Sequence, residues 1–132
     1  MTMIMNEVLA ALIDRLRTDP NLAGINIYNS LPQDQGFPYI RAWMPDGVEF
    51  DTKTSDGFRD VIRCDIWTAY ASKGNKSVYE LMQYVYEAMQ NKPFTGLSLT
   101  SICLKYKTKA VFLEAENDLN HGVIDFEHLY SE

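Results

Sequence analysis

Apolar residues recur at spacings of three and four at the start of the chain. Ile4, Val8, Leu12 and Leu16 form one stripe, with Met5, Leu9 and Ile13 one step around it. That period describes an amphipathic helix over residues 3 to 17, with Asp14, Arg15 and Arg17 toward its polar side or end. The helix is expected to stop before Thr18-Asp19-Pro20, because proline disfavours helical geometry in the residue before it. Ile25 to Tyr28 is a short strand candidate, and Asn29 to Gly36 has the Pro, Gly and Asn content of a loop. In the β-rich run "FPYIRAWM", Tyr39, Arg41 and Trp43 share one face while Ile40, Ala42 and Met44 share the other; Pro45-Asp46-Gly47 then marks a turn or a bulge.

From Phe58 to Tyr70 the alternation is clear. Ile62, Cys64 and Ile66 point one way and Arg59, Val61, Arg63, Asp65 and Trp67 the other, as in a half-buried antiparallel strand. Asp60 and Asp65 therefore project to opposite faces and cannot form one acid/base pair. A second helix follows the 71–75 segment and runs to about Gln90, with Val78, Leu81, Met82, Val85 and Met89 as its buried stripe. Ser77-x-x-Glu80 has the form of a capping box, and Asn75 or Ser72 could equally cap an earlier start. Tyr79, Tyr84 and Tyr86 lie around that stripe, suited to core packing or, where exposed, to a subunit contact. Two more strands follow. In the first, Ile102, Leu104 and Tyr106 oppose Cys103, Lys105 and Lys107; after a break at Glu116-Asn117-Asp118, the last strand runs through Val123 to His128. The order α-β-β-β-α-β-β predicts an α+β fold: a mainly antiparallel sheet with two helices packed on one face and a long hairpin.

The length of 132 residues suits one domain, spanning 1–132, that buries a single core without a metal or disulfide staple. No apolar run approaches the roughly 18 residues of a membrane span, and the N-terminus lacks a basic region ahead of an apolar one, so the chain is expected to be soluble and unexported. A net charge of -6 opposes gripping of a phosphate backbone. Lys105, Lys107 and Lys109 recur with a period of two, which would set all three ammonium groups on one strand face. Such a stripe reads as a solvated face or a guard against edge-to-edge pairing, with a nucleic-acid contact as the alternative.

Little in the chain nominates chemistry. Cys64 and Cys103 are far apart without C-x-x-C spacing and read as small core residues in a reducing compartment. No zinc set forms with His121 and His128. Asp51 and Asp56-Gly57 only loosely evoke a calcium loop, since Lys53 and Ser55 occupy ligand positions and no closing glutamate follows. Phosphate-loop, dinucleotide, zinc-protease and hydrolase motifs are absent from the sequence. His121 is expected to open the last strand and His128 to sit in the core or at its rim, with a ligand or general-base role the minor alternative for each. No catalytic residue, metal or cofactor is expected.

Several stretches occur together in order: "FPYIRAW", "DTKTSDG" before a strand ending "DIWTAYASKG", "YELMQYVYEAM" and "HGVIDFE". Together they resemble the tail completion proteins of long-tailed phages and prophages, a family that includes tail terminators and tail-to-head joining proteins. The resemblance covers Glu7 to Phe126. It implies a structural protein that forms a ring, hexameric in expectation, which caps the tail tube, ends its polymerisation and offers an interface for head-tail joining. The implied partners are copies of the chain itself, the tail tube protein and a head-completion or connector protein. DNA would pass through the lumen without specific binding, no membrane is involved, and the place is the head-proximal end of the virion tail, assembled in host cytoplasm. A neck or head-closure adaptor, or a small-molecule-binding α+β domain, remains the alternative. Within the ring reading, residues 49 to 57 form an exposed polar hairpin tip, because so many charges cannot be buried without partners. Glu49, Asp51, Thr52, Lys53, Thr54 and Asp56 are its candidate subunit or tube contacts.

Overall fold

The structure is a computed structural model that describes residues 4–30, 36–51, 56–71, 74 and 76–131, with the side chains of 48–51 and 56 left out. In chain order the elements are α1 (Met5–Thr18), β1 (Asn26–Tyr28), β2 (Tyr39–Asp51), β3 (Asp56–Ala69), α2 (Lys76–Met89), β4 (Thr100–Glu114) and β5 (Leu119–Ser131). They build one sheet in the order β1-β2-β3-β5-β4, antiparallel except where β1 runs parallel to β2. The α+β class and the element order expected from the sequence are those observed.

Alternation on β3 organises the layers. Ile62, Cys64 and Ile66 are fully buried beside Ile40 and Ala42 of β2 and Ile124 and Phe126 of β5, and both helices cover this side. From α1 come Val8, Leu12 and Leu16, each four residues after the last, so one stripe delivers all three to the core. α2 contributes Val78, Leu81, Met82, Val85, Ala88 and Met89. α1 ends one residue later than expected: Thr18 stays helical with its hydroxyl on the Asp14 carbonyl, and Asp19 turns extended ahead of Pro20. The Arg15 guanidinium, 4.2 Å over the Phe94 ring, donates to the carbonyls of Lys92 and Pro93 and ties α1 to the α2–β4 connection.

Bulges shape both β2 and β4. Of the two readings of Pro45-Asp46-Gly47, a turn or a bulge, the bulge is the one observed: β2 passes through it with a register shift between Trp43 and Asp46 and continues to Asp51. A proline has no N–H to offer a ladder, so the strand accommodates it at an irregularity. On β4 the register shifts between Ser101 and Cys103 and again between Tyr106 and Thr108. The first bulge leaves Ile102 half exposed and moves Cys103 to the open side of the sheet, half-buried, so only Cys64 is the core thiol expected of both. The second places Lys105 opposite Glu127 but Lys109 opposite Ile124. Since opposite residues share a face and Glu127 and Ile124 lie on different ones, the expected one-faced lysine stripe does not form. Ser77 falls inside the first turn of α2, so Ser77-x-x-Glu80 is not its capping box; Ser72 and Asn75 lie outside the described residues.

Asp60 and His128 bring titratable groups into the helix-covered core. Asp60 is buried, and burial pushes its pKa up, partly offset by the 2.7 Å hydrogen bond it accepts from the Tyr130 hydroxyl. The fully buried His128 ring stacks on Tyr130 and meets Ser101 Oγ at 2.7 Å through Nε2. Burial, with a smaller contribution from the Arg15 charge, lowers its pKa to about 4.

Two predictions follow from this packing. A Cβ added at Gly122 would lie 2.7 Å from Val78 Cγ2 and 2.8 Å from Met82 Sδ, where α2 rests on β5. Gly122→Ala should therefore destabilise the fold by about 1–3 kcal/mol in denaturant titration. The His128 pKa is lower folded than the ordinary 6.5, so between these two values the unfolded chain binds more protons. Stability should fall as pH drops from about 6.5 to about 4 and His128→Gln should flatten that slope in melts across the range.

Candidate functional site

Of the expected contact residues, those described lie at the end of the β2–β3 pairing, which runs on through positions of the loop expected over residues 49 to 57. The backbones of Glu49 and Asp51 belong to β2 and that of Asp56 to β3, with Asp51 opposite Asp56; Thr52, Lys53 and Thr54 lie outside the described residues. β5 accompanies β3 almost to that end, pairing Gly57 with Ser131. Ladder hydrogen bonds on both sides of β3 extend the strands past the point where charge alone suggested a loop.

The sheet face away from the helices carries the ion pairs between strands and a row of aromatic rings. A row of rings crosses it from β2 to β4. Phe37 stacks on Tyr39 (centroids 5.3 Å apart), Tyr39 on Trp67 (5.0 Å) and Trp67 on His121 (4.2 Å, planes 11° apart), and Phe112 lies 5.9 Å beyond. Register makes this row: Tyr39 is directly opposite Trp67, and Trp67 directly opposite His121, which is opposite Phe112.

Beside the rings runs a charged row. Asp65 accepts from the Trp43 indole N–H at 2.7 Å with one oxygen and from His121 Nε2 at 2.9 Å with the other. Burial alone would raise its pKa, yet these hydrogen bonds, with the charges of His121 and Arg63, hold it below the usual carboxylate range. Since that carboxylate is ionised, His121 must donate through Nε2. Its Nδ1 faces Glu114 Oε1 at 3.8 Å. Arg63 grips both Asp125 oxygens at 2.8 and 3.0 Å, a fork-on-fork pair between directly opposite residues. Arg41 lies 3.9 Å over the Trp43 ring, and Arg59 pairs with Glu127 at 3.3 Å.

This arrangement staples strands rather than poising a reaction. Asp65 and Asp125 are each only 5% exposed although no helix lies over them, and all four of their oxygens are engaged by neighbouring strands. Among the described residues no group of three His, Cys, Asp or Glu side chains could hold a metal ion. On the helix side, a groove of about 550 Å³ between α2 and β4 is lined by Tyr79, Met82, Gln83, Tyr86, Tyr106, Lys109 and Ile124. Lys109 is the one ionisable group there besides the tyrosines.

The opposed faces of Asp60 and Asp65 and the outward placement of Arg63 and Trp67 were legible in the alternation. The joining of Asp65 to Trp43 and His121 was not, because alternation specifies a face and says nothing of register. The available signal was one of composition: Trp43, Arg63, Asp65, Trp67 and His121 all fall on positions that alternation turns away from the apolar side. Replacing Asp65 with alanine strands the indole N–H and the imidazole N–H, and should lower stability by about 2–3 kcal/mol in denaturant titration. Asp65→Asn, which keeps an acceptor, should lose less.

Comparison with known proteins agrees with this picture. The family model "Tail completion protein gp17" matches residues 10–131. A chain from the virion of a native gene transfer agent particle has the same fold, with a TM-score of 0.83 at 14% identity over 99% of this chain and 100% of that one. A second solved chain aligns with a TM-score of 0.54 at 15% identity, covering 99% of this chain and 97% of the other. No curated protein matches in sequence. With the family match covering most of its length, the chain belongs to the tail completion protein gp17 family and is a structural tail protein of phage type.

Proposed function

We propose that the chain is a single domain that assembles into a ring of six copies, seats on the end of the tail tube, ends its growth and presents the surface to which a head-completion or connector protein joins. The observation that carries this reading is the open sheet face. Its acids are neutralised by fixed partners on adjacent strands, which makes a rigid plate instead of a set of groups converging on a substrate. Rigid surfaces with pre-paired charges suit repeated docking, because little side-chain freedom is lost on contact.

In this reading the end of the β2–β3 hairpin, with Glu49, Asp51, Thr52, Lys53, Thr54 and Asp56, meets a neighbouring copy or the tube. The net charge of -6 keeps passing DNA from adhering, since carboxylates lining a passage repel phosphates. The assembled protein lies at the head-proximal end of the tail.

Asp51, Lys53 and Asp56 replaced together by alanine should change folding stability by no more than ~0.5 kcal/mol, the usual range for surface positions. Ring formation or tube capping, followed by electron microscopy with purified tail tubes, should drop sharply. Normal assembly by this variant would remove the hairpin end from the contact, and a wild-type chain that neither forms rings nor caps tubes would refute the function itself.

A further inference from the structure

The two outer strands of the sheet are unequally closed. β1 pairs with β2 at Tyr39, Ile40 and Arg41, and among the described residues no strand pairs with the outer side of β2 from there to Asp51. On the far side, the first half of β4 is shut off: the Leu104 carbonyl accepts from the Asn91 N–H at 2.9 Å, and the Tyr106 N–H donates to the Gln90 side chain at 2.6 Å. Past the bulge at Lys107 that closure ends. Among the described residues, no hydrogen bond besides those to β5 reaches the main chain of residues 108–114. Phe112 is 54% exposed and Leu113 66% exposed on this stretch. An open, apolar strand edge of this kind invites another strand.

We propose that the open edge of β4, residues 108–114, pairs with the open edge of β2, residues 46–51, in a second copy of this chain. The proposal rests on the ring reading and names the surfaces that make the ring.

Charge and face agree along both edges. Lys107 and Lys109 have no acidic partner among the described residues, and Lys109 is level with Ile124 on the helix-covered side. On β2, the Cα register sets the backbone of Glu49 opposite that of the buried Phe58, and Asp51 follows two positions on. On the open side, Phe112 is level with His121, and Asp46, level with Val61, is on that same face of β2. Direction agrees as well. β2, β3, β5 and β4 form an antiparallel series, so β4 runs opposite to β2. A neighbour related by rotation about an axis along the strands would therefore present its β2 antiparallel to β4.

The lysines also select this contact over its rival. Two β4 edges brought together would bring Lys107 and Lys109 against their own copies, and like charges across a strand pair repel. The contact left is between unlike edges of successive copies, and a contact of unlike surfaces repeats around a closed ring. Pro45, which has no N–H, sets the lower limit of pairing on β2.

Amide hydrogen exchange on the wild-type chain, free and then assembled on tail tubes, tests this directly. Exchange should slow by about tenfold or more in both 108–114 and 46–51 on assembly. Charge reversal gives a second measurement. Lys107→Glu with Lys109→Glu, or Glu49→Lys with Asp51→Lys, should each cut ring formation by about tenfold, and the chain carrying all four should recover it. Assembled wild-type rings with unchanged exchange at both edges would overturn the edge pairing and leave the ring reading standing, as would a four-fold variant that folds but assembles no better than its parents. A wild-type chain that forms no ring at all overturns both.

Discussion

Both helices lie on the same face of the sheet, and most other features respond to that asymmetry. β3 sits at the centre, so each of its residues is committed either to the helix-covered core or to a face over which, among the described residues, no element lies. On the covered side the solution is ordinary: Ile62, Cys64 and Ile66 meet the apolar stripes of α1 and α2. On the other side there is no hydrophobic layer to exclude water, and order comes from side chains gripping one another across strands. Arg63 on Asp125, and Trp43 and His121 on Asp65, are the result.

Physical consequences for function come from the same source. Two acids 5% exposed on an uncovered face would be expensive to bury without partners, and here every oxygen has one. A face stabilised in this way resists deformation and leaves its charged groups little freedom to engage a substrate. That is the behaviour of a part that must fit other parts in a fixed geometry, in keeping with a structural protein of phage-type tails. The Asp60–Tyr130 and His128–Ser101 pairs play a different role inside the core, each neutralising a polar group that the apolar layer would otherwise penalise.

The helix periods, the β3 alternation and the order of elements could all be read from residue spacing, because burial on one side imposes a period of 3.6 or 2 on any segment that forms. Tail completion was legible too, through several short stretches such as "HGVIDFE", where Gly122 proves to lie against Val78 and Met82 of α2 with no room for a side chain. Pro45-Asp46-Gly47 was legible as a turn or a bulge, but spacing did not show the two bulges of β4. One extra residue at Lys107 reverses the face of everything after it, so a lysine stripe evident in the sequence divides between two faces in the fold. The same kind of irregularity carried β2 through Pro45 and exposed Ile102.

By itself, then, the amino-acid order determined the two helices and their buried stripes, the order of the strands, the inward face of β3, and the family to which the chain belongs. Those properties depend on neighbours within a few positions, where the side-chain period acts. Tertiary structure alone decided that Trp67 would lie between Tyr39 and His121, that Asp65 would hold Trp43 and His121 at once, and that β4 would be closed over one half of its outer edge and open over the other. These depend on strand register between residues dozens of positions apart, and register is set by the summed packing of the whole sheet, which no local pattern encodes.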